Sequence, residues 1–152
     1  MINTKVEYTD NTRQVKEEMA KRVQKVLEEI GIHLEGEAKE ELEVDPRRVD
    51  TGLLRNSITY ALSGESTHIQ KYQNDGKDKQ GNSVQIVTGS YHGTAPEDPA
   101  DQQAVYVGTN VEYGIYVHEG TQRMTPNRFL KNAFMRNMNQ IKKKIDSEMK
   151  SN

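Results

Sequence analysis

The chain has no cysteine and no tryptophan, and only two phenylalanines and four prolines in 152 residues. Without cysteine there is no disulfide, thiolate metal site or thiol nucleophile, and the composition suits a reducing compartment. No stretch approaches the roughly 18 consecutive apolar residues that a membrane-crossing helix needs. Residues 1–14 place no apolar run behind a basic start, so no secretory leader is expected. Neither sign of charge dominates. The 21 Lys and Arg meet 23 Asp and Glu for a net −2, which removes any global attraction to nucleic acid. Hydrophobic residues make up 33% of the chain, so the core must be small and much of the rest must lie in loops or against partners. The expectation is one soluble domain over residues 1–152, with no membrane partner.

Periodicity organises what remains. Val15, Met19, Val23, Val26, Leu27, Ile30, Leu34, Ala38 and Leu42 recur at steps of three and four, predicting an amphipathic helix from about Asn11 to Leu42. Asp10, Asn11 or Thr12 can cap its start. Gly31 and Gly36 each weaken it by roughly 1 kcal/mol relative to Ala, which predicts a kink or break in the middle, and Pro46 ends it. Alternating, β-rich runs follow at residues 57–62, 68–72, 83–88 and 104–109. Between the middle two, residues 74–82 read as a mobile hairpin connection inside an exposed loop near 74–83, and residues 89–103 read as a second exposed loop. Neighbouring strands usually pair antiparallel, which predicts one meander sheet of about four strands. A last helix is expected to open at Thr125-Pro126, with Thr as cap and Pro at the first position. Its apolar face is Phe129, Leu130, Ala133, Phe134, Met138, Ile141, Ile145 and Met149, and Lys142, Lys143, Lys144 and Lys150 crowd its end. The fold class is α+β: a long N-terminal helix, an antiparallel sheet and a C-terminal helix packed on it.

Candidate chemistry is sparse. Asp50-Thr51-Gly52 matches the triplet of aspartic proteases, in which two carboxylates share a proton. One copy per chain would require a homodimer, and here the aspartate follows Pro46-Arg47-Arg48-Val49 rather than an apolar strand. The plainer role is that Asp50 or Thr51 caps a turn and Gly52 relaxes the backbone before Leu53, Leu54 and Arg55. His118-Glu119 lacks a second histidine four residues on, where Gln122 stands, and His33, His68, His92 and His118 are scattered, so neither a metal nor a cofactor is expected. Gly108-Thr109-Asn110 and Gly120-Thr121 lack the lysine of a phosphate loop, and no serine sits in a G-x-S-x-G elbow. Arg47, Arg48 and Arg55, with Arg123, Arg128, Lys131 and Arg136, form two basic clusters able to meet a DNA backbone or an acidic protein patch. The acidic run at Glu97, Asp98 and Asp101 is a candidate partner for them in a neighbouring subunit. Tyr106, Tyr113 and Tyr116 suit either a small core or an interface; Tyr113, Tyr116 and Val117 share a face if the segment is helical.

Three segments together carry a family resemblance. Residues 49–58 (VDTGLLRNSI), residues 107–121 with Val107-Gly108-Thr109-Asn110, Tyr113, Tyr116 and Glu119-Gly120-Thr121, and residues 126–134 with Pro126 and Phe129 resemble, in that order, motifs of the lambda-like tailed-phage head–tail joining or tail-completion proteins. The resemblance spans roughly residues 11–145, and the central linkers look peculiar to this chain. It implies a non-enzymatic minor structural protein, made in the bacterial host cytoplasm and placed in the virion neck or tail. It also implies a homo-oligomeric ring beside connector, head-closure, tail-terminator or tube proteins, with incidental DNA contact. Asp50, Thr51, Gly52, Leu54, Arg55, Tyr113, Tyr116, Glu119, Gly120, Thr121, Pro126 and Phe129 are the motif residues that such a role would use.

Asp50→Asn separates the two meanings of the triplet. A protease loses its activity, whereas an assembly protein keeps its oligomeric state and its stability to within about 1 kcal/mol, measured by denaturation and sedimentation.

Overall fold

A computed structural model describes residues 5–44, 47–63, 70–91 and 103–150. The expected first helix is present as α1, Thr12–Glu41, about 45 Å long at 1.5 Å per residue. It runs unbroken through both glycines. Gly31 is a point of close approach, because a Cβ there would sit 2.7 Å from Val105 Cγ2 and 2.9 Å from the Tyr60 ring. Its missing side chain lets the helix lie against two strands. Nothing lies within 4 Å of a Cβ placed on Gly36.

A five-residue helix α2, Leu53–Ser57, leads into strand β1, Thr59–Leu62. Strands β2, Gln70–Gln73, and β3, Thr88–Tyr91, form one antiparallel pair. Strand β4, Val105–Gly108, instead returns to pair with β1, with Tyr60 opposite Val107 and Leu62 opposite Val105. Among the described residues four strands are therefore present, as two two-stranded ladders rather than one meander. The third strand also lies later than residues 83–88. Asn74, itself buried, takes the backbone of that stretch: its Nδ2 donates to Gln85 O at 2.9 Å and its Oδ1 accepts from Val87 N–H at 3.3 Å. The connection at 74–82 is a built turn. Asp78 Oδ2 accepts from Asn82 Nδ2 at 3.1 Å and Oδ1 from the N–H of Asn82 and Gln80 at 2.8 and 2.9 Å; these bonds, the Asn82 side chain's foremost, hold its carboxyl below the usual carboxylate range. His68, His92 and the acidic run at 97–101 lie outside the described residues.

Helix α3, Gly114–Glu119, precedes helix α4, Phe129–Lys150. The last helix starts three residues after Pro126, not at it. Thr125 accepts Arg48 instead of capping: Arg48 Nη2 reaches Thr125 O at 2.8 Å and Oγ1 at 2.9 Å. Asn127 N–H is spent on Val117 O at 2.9 Å, and Arg128 O is the acceptor for Asn132 N–H at 2.8 Å.

Helices α1 and α4 lie antiparallel and are matched in charge. Glu28, Glu29, Glu35, Glu37, Glu40 and Glu41 crowd the second half of α1, and Lys131, Arg136, Lys142, Lys143, Lys144 and Lys150 crowd α4. Lys144 meets Glu29 at 2.6 Å, Arg136 meets the buried Glu41, and Asn137 donates to Glu37 at 3.2 Å while its Oδ1 meets His33 Nε2 at 2.9 Å. One buried cluster joins Ala38, Leu42, Val49, Leu54, Ile58, Val117, Phe129 and Ala133; a second joins Val26, Ile30 and Leu34. The stripe on α1 is buried only from Val26 onward. Val15 and Met19 are exposed, since every residue from Thr12 to Lys21 is uncovered.

Gly36→Ala should stabilise the protein by up to about 1 kcal/mol, the full helix-propensity gain in open space. Gly31→Ala makes the same gain but meets Val105 and Tyr60, at an overpacking cost of about 1–3 kcal/mol, so its net effect should be destabilising. Urea denaturation of the two variants gives both signs.

Candidate functional site

The first motif is a brace built on Arg55. Gly52 has φ 83°, the left-handed region, and a Cβ there would fall 2.3 Å from Asp75 Oδ2, so only glycine lets the Asp75 carboxylate approach the loop. Arg55 Nη2 then takes both Asp75 oxygens, at 2.8 and 2.7 Å. Its Nη1 takes Glu43 Oε1 at the end of α1, and Arg47 Nε holds the other Glu43 oxygen at 2.9 Å. Asn56 Nδ2 bridges Gln73 O and Asp75 Oδ1 at 2.8 and 2.9 Å. The backbone closes the same junction, with Asp75 N–H on Thr51 O at 2.7 Å. Asp50 is exposed, and its Oδ1 accepts the Lys79 N–H at 3.1 Å, fastening the hairpin turn. Burial pushes the Glu43 carboxyl up, yet the bonds from Arg55 and Arg47 outweigh it and hold that carboxyl below its ordinary value. Burial likewise lowers the Arg55 guanidinium, and Glu43 and Asp75 more than reverse the effect.

The second motif is a reversal of chain direction. Gly120, φ 80°, closes α3 with its N–H on Tyr116 O at 2.8 Å, and a Cβ on it would meet Met124 O and Pro126 N at 2.9 Å. Thr121 and Met124 exchange backbone bonds at 2.8 and 3.3 Å, and Thr121 Oγ1 accepts the Arg123 N–H at 3.2 Å. Glu119 takes His118 Nδ1 at 2.7 Å, a bond that holds the Glu119 carboxyl below its ordinary value, with Arg128 3.9 Å away. His118 packs edge-on against Phe129, ring centroids 5.3 Å apart at 79°. Phe129 is fully buried.

The two motifs form one body. Leu54, Val117 and Phe129 share a core cluster, and a Cβ on Gly114 would lie 3.1 Å from Leu54 Cδ1. Ser57 Oγ meets Thr109 Oγ1 at 2.6 Å and donates to Leu54 O at 2.7 Å. Tyr113 closes a cavity of about 190 Å³ over residues 48–55. Burial raises its phenol, with Tyr72 and Asp50 adding to the shift and a hydrogen bond from the Leu54 backbone opposing it. Tyr113 and Tyr116 remain 44% and 60% exposed, so Val117 alone of that face enters the core. Several partners of the motifs had no signal in the sequence: Glu43, Asn74, Asp75 and Asn127. Asp75 precedes a glycine and reads as an ordinary turn residue, and the reach of Asn127 Nδ2 to Glu41 O at 3.0 Å spans 86 residues.

Chemically, Arg55 is paired with Glu43 and Asp75, and Glu119 with His118 and Arg128, while Asp50 and Arg48 are held by the Lys79 N–H and by Thr125. Among the described residues no group of three or more His, Cys, Asp or Glu is placed to hold a metal ion, and no helix is long and apolar enough to cross a membrane. Arg47, Arg48, Arg55 and Arg136 are engaged within the chain. Comparison with protein-family models, curated proteins and solved structures gives no match for this chain.

Arg55→Ala leaves Glu43 and Asp75 without their shared cation and should cost about 1–3 kcal/mol, the groups being only partly desolvated. Arg55→Lys should recover only part of this, because an ammonium cannot reproduce a planar fork. The Glu43 contribution is complete above its unfolded pKa and is lost as pH falls through the lowered folded one. Glu43→Gln should therefore flatten the acid limb of a stability–pH curve.

Proposed function

We propose that this chain is a non-catalytic structural subunit of a tailed-phage-type neck, joining or completing head and tail as a ring-forming homo-oligomer. The observation that carries this reading is the convergence of the three resembling segments, residues 49–58, 107–121 and 126–134, on one braced joint. Their chemistry is spent on turn geometry and internal ion pairs: Gly52 and Gly120 admit close contacts, Arg55 clamps, and Phe129 fills the core. Such a joint fixes the mutual orientation of α1, the β2–β3 hairpin and α4, which is what an assembly subunit needs from its scaffold. The apolar side chains left uncovered at Val15, Met19, Phe134 and Met135 suit a chain that meets neighbours. The engagement of Asp50 with the hairpin turn favours this role over a dimeric protease.

Deleting the gene from the phage or prophage that encodes the chain should leave tailless heads and free tails in negative stain. Supplying the chain in trans should restore joined particles. Normal particles from the deletion strain would remove the proposal.

A further inference from the structure

Between α1, β4 and α4 lies an apolar groove of about 360 Å³, lined by Leu27, Leu34, Val105, Val107, Phe134 and Ile145 among others. Phe134, 48% exposed, stands at its rim. No β1 residue lines it, so it opens beside the outer edge of β4, along which no described strand pairs. The register sets which groups face that edge. Ser63 N–H donates to Ala104 O at 2.9 Å, so bonding alternates onto the pairs Ala61–Tyr106 and Thr59–Gly108. Val105 and Val107 therefore aim their N–H and C=O groups away from β1, at an edge with no partner among the described residues.

The chain carries a segment shaped for such an edge. Residues 5–10 precede α1, with Val6 and Tyr8 85% and 83% exposed. Apolar and polar residues alternate from Lys5 through Thr9, with Val6 and Tyr8 at the apolar positions. Lys5 Nζ lies 2.5 Å from Glu7 Oε1, the same-side contact of an extended chain. An extended segment with one apolar face docks on an open edge by backbone pairing, and its alternate side chains fill the neighbouring pocket.

The segment cannot do this within its own chain. Val105 lies against Gly31, and the 19 residues from Thr12 to Gly31 cover roughly 28 Å of helix. The six residues from Val6 to Thr12 span at most roughly 22 Å when fully extended. The geometry points to an exchange between copies: residues 5–10 of one copy add as a strand to the outer edge of β4 in a second copy, seating Val6 and Tyr8 in its groove. The inference deepens the assembly reading and rests on it for the setting in which copies meet.

Because the chain has no cysteine, single introduced thiols report without background. Full-length Tyr8→Cys mixed with full-length Phe134→Cys under mild oxidation should give a disulfide-linked dimer. The yield should be severalfold above that of Tyr8→Cys mixed with Lys79→Cys on the distant hairpin turn. The double variant Val6→Asp/Tyr8→Asp should weaken self-association by about tenfold or more in sedimentation. Its thermal melt as monomer should be unchanged, since these side chains touch no core. Equal yields in the two mixtures, undiminished association of the double variant, or a wild-type chain that stays monomeric throughout its soluble range would each overturn the exchange. None of those results touches neck assembly, which the deletion strain reads separately, and an arm exchange seen in a chain absent from virions would sink the assembly reading alone.

Discussion

The guanidinium of Arg55 is one planar group shared by carboxylates from opposite sides of the loop that carries it. Glu43 arrives from the end of α1, and Asp75 from the hairpin beyond β2. A point charge would satisfy one of them; a fork satisfies both, and adds direction. The end of α1 and α2, which share one core cluster, are thereby tied to the β2–β3 hairpin, which contributes no residue to either buried cluster. The approach of Asp75 depends in turn on Gly52, whose absent side chain leaves room for the carboxylate. In a chain poor in aromatic and aliphatic residues, directional polar bonds take over part of the positioning that a larger core would provide.

The burial pattern is uneven along the molecule. Around Ala38, Leu42, Phe129 and Ala133 the packing is complete, whereas the first ten residues of α1 are uncovered on all sides. The acidic half of α1 faces the basic α4, so the helix pair is matched in charge where it is matched in shape. The β1–β4 ladder packs against α1, and the outer edge of β4 has no hydrogen-bond partner among the described residues. Order and openness lie within a few residues of each other.

Long, periodic elements were legible in the sequence. The stripe ending at Leu42 marks α1 to within a residue or two, and the apolar face from Phe129 onward marks α4, because each helix repeats its signal over many turns. The strand count was legible as well, but not the pairing. β1 takes β4 across more than forty residues, a choice made by the helix that both strands pack on and not by either strand's composition. Local turn chemistry misled at two places. Thr125-Pro126 has the form of a helix start, yet Arg48 takes the threonine from the other side of the fold. Residues 83–88 have the form of a strand, yet only Thr88 joins one, and the Asn74 side chain takes Gln85 O and Val87 N–H. In the candidate site, Gly52, Arg55 and Gly120 stood out as turn and charge residues, while Glu43, Asp75 and Asn127 gained meaning only from partners distant in sequence.

The pairing of the first helix with the last also has a consequence in time. Arg136 and Glu41 are 95 residues apart, and Asn127 reaches Glu41 across 86. At roughly 5–20 residues per second, α1 leaves the ribosome about 5–20 s before the helix that covers its apolar stripe exists. During that interval Ile30, Leu34 and Ala38 lack the cover that α4 provides, so the core cannot close before α4 has been made. The topology ties completion of the core to the synthesis of α4, long after α1 has been made.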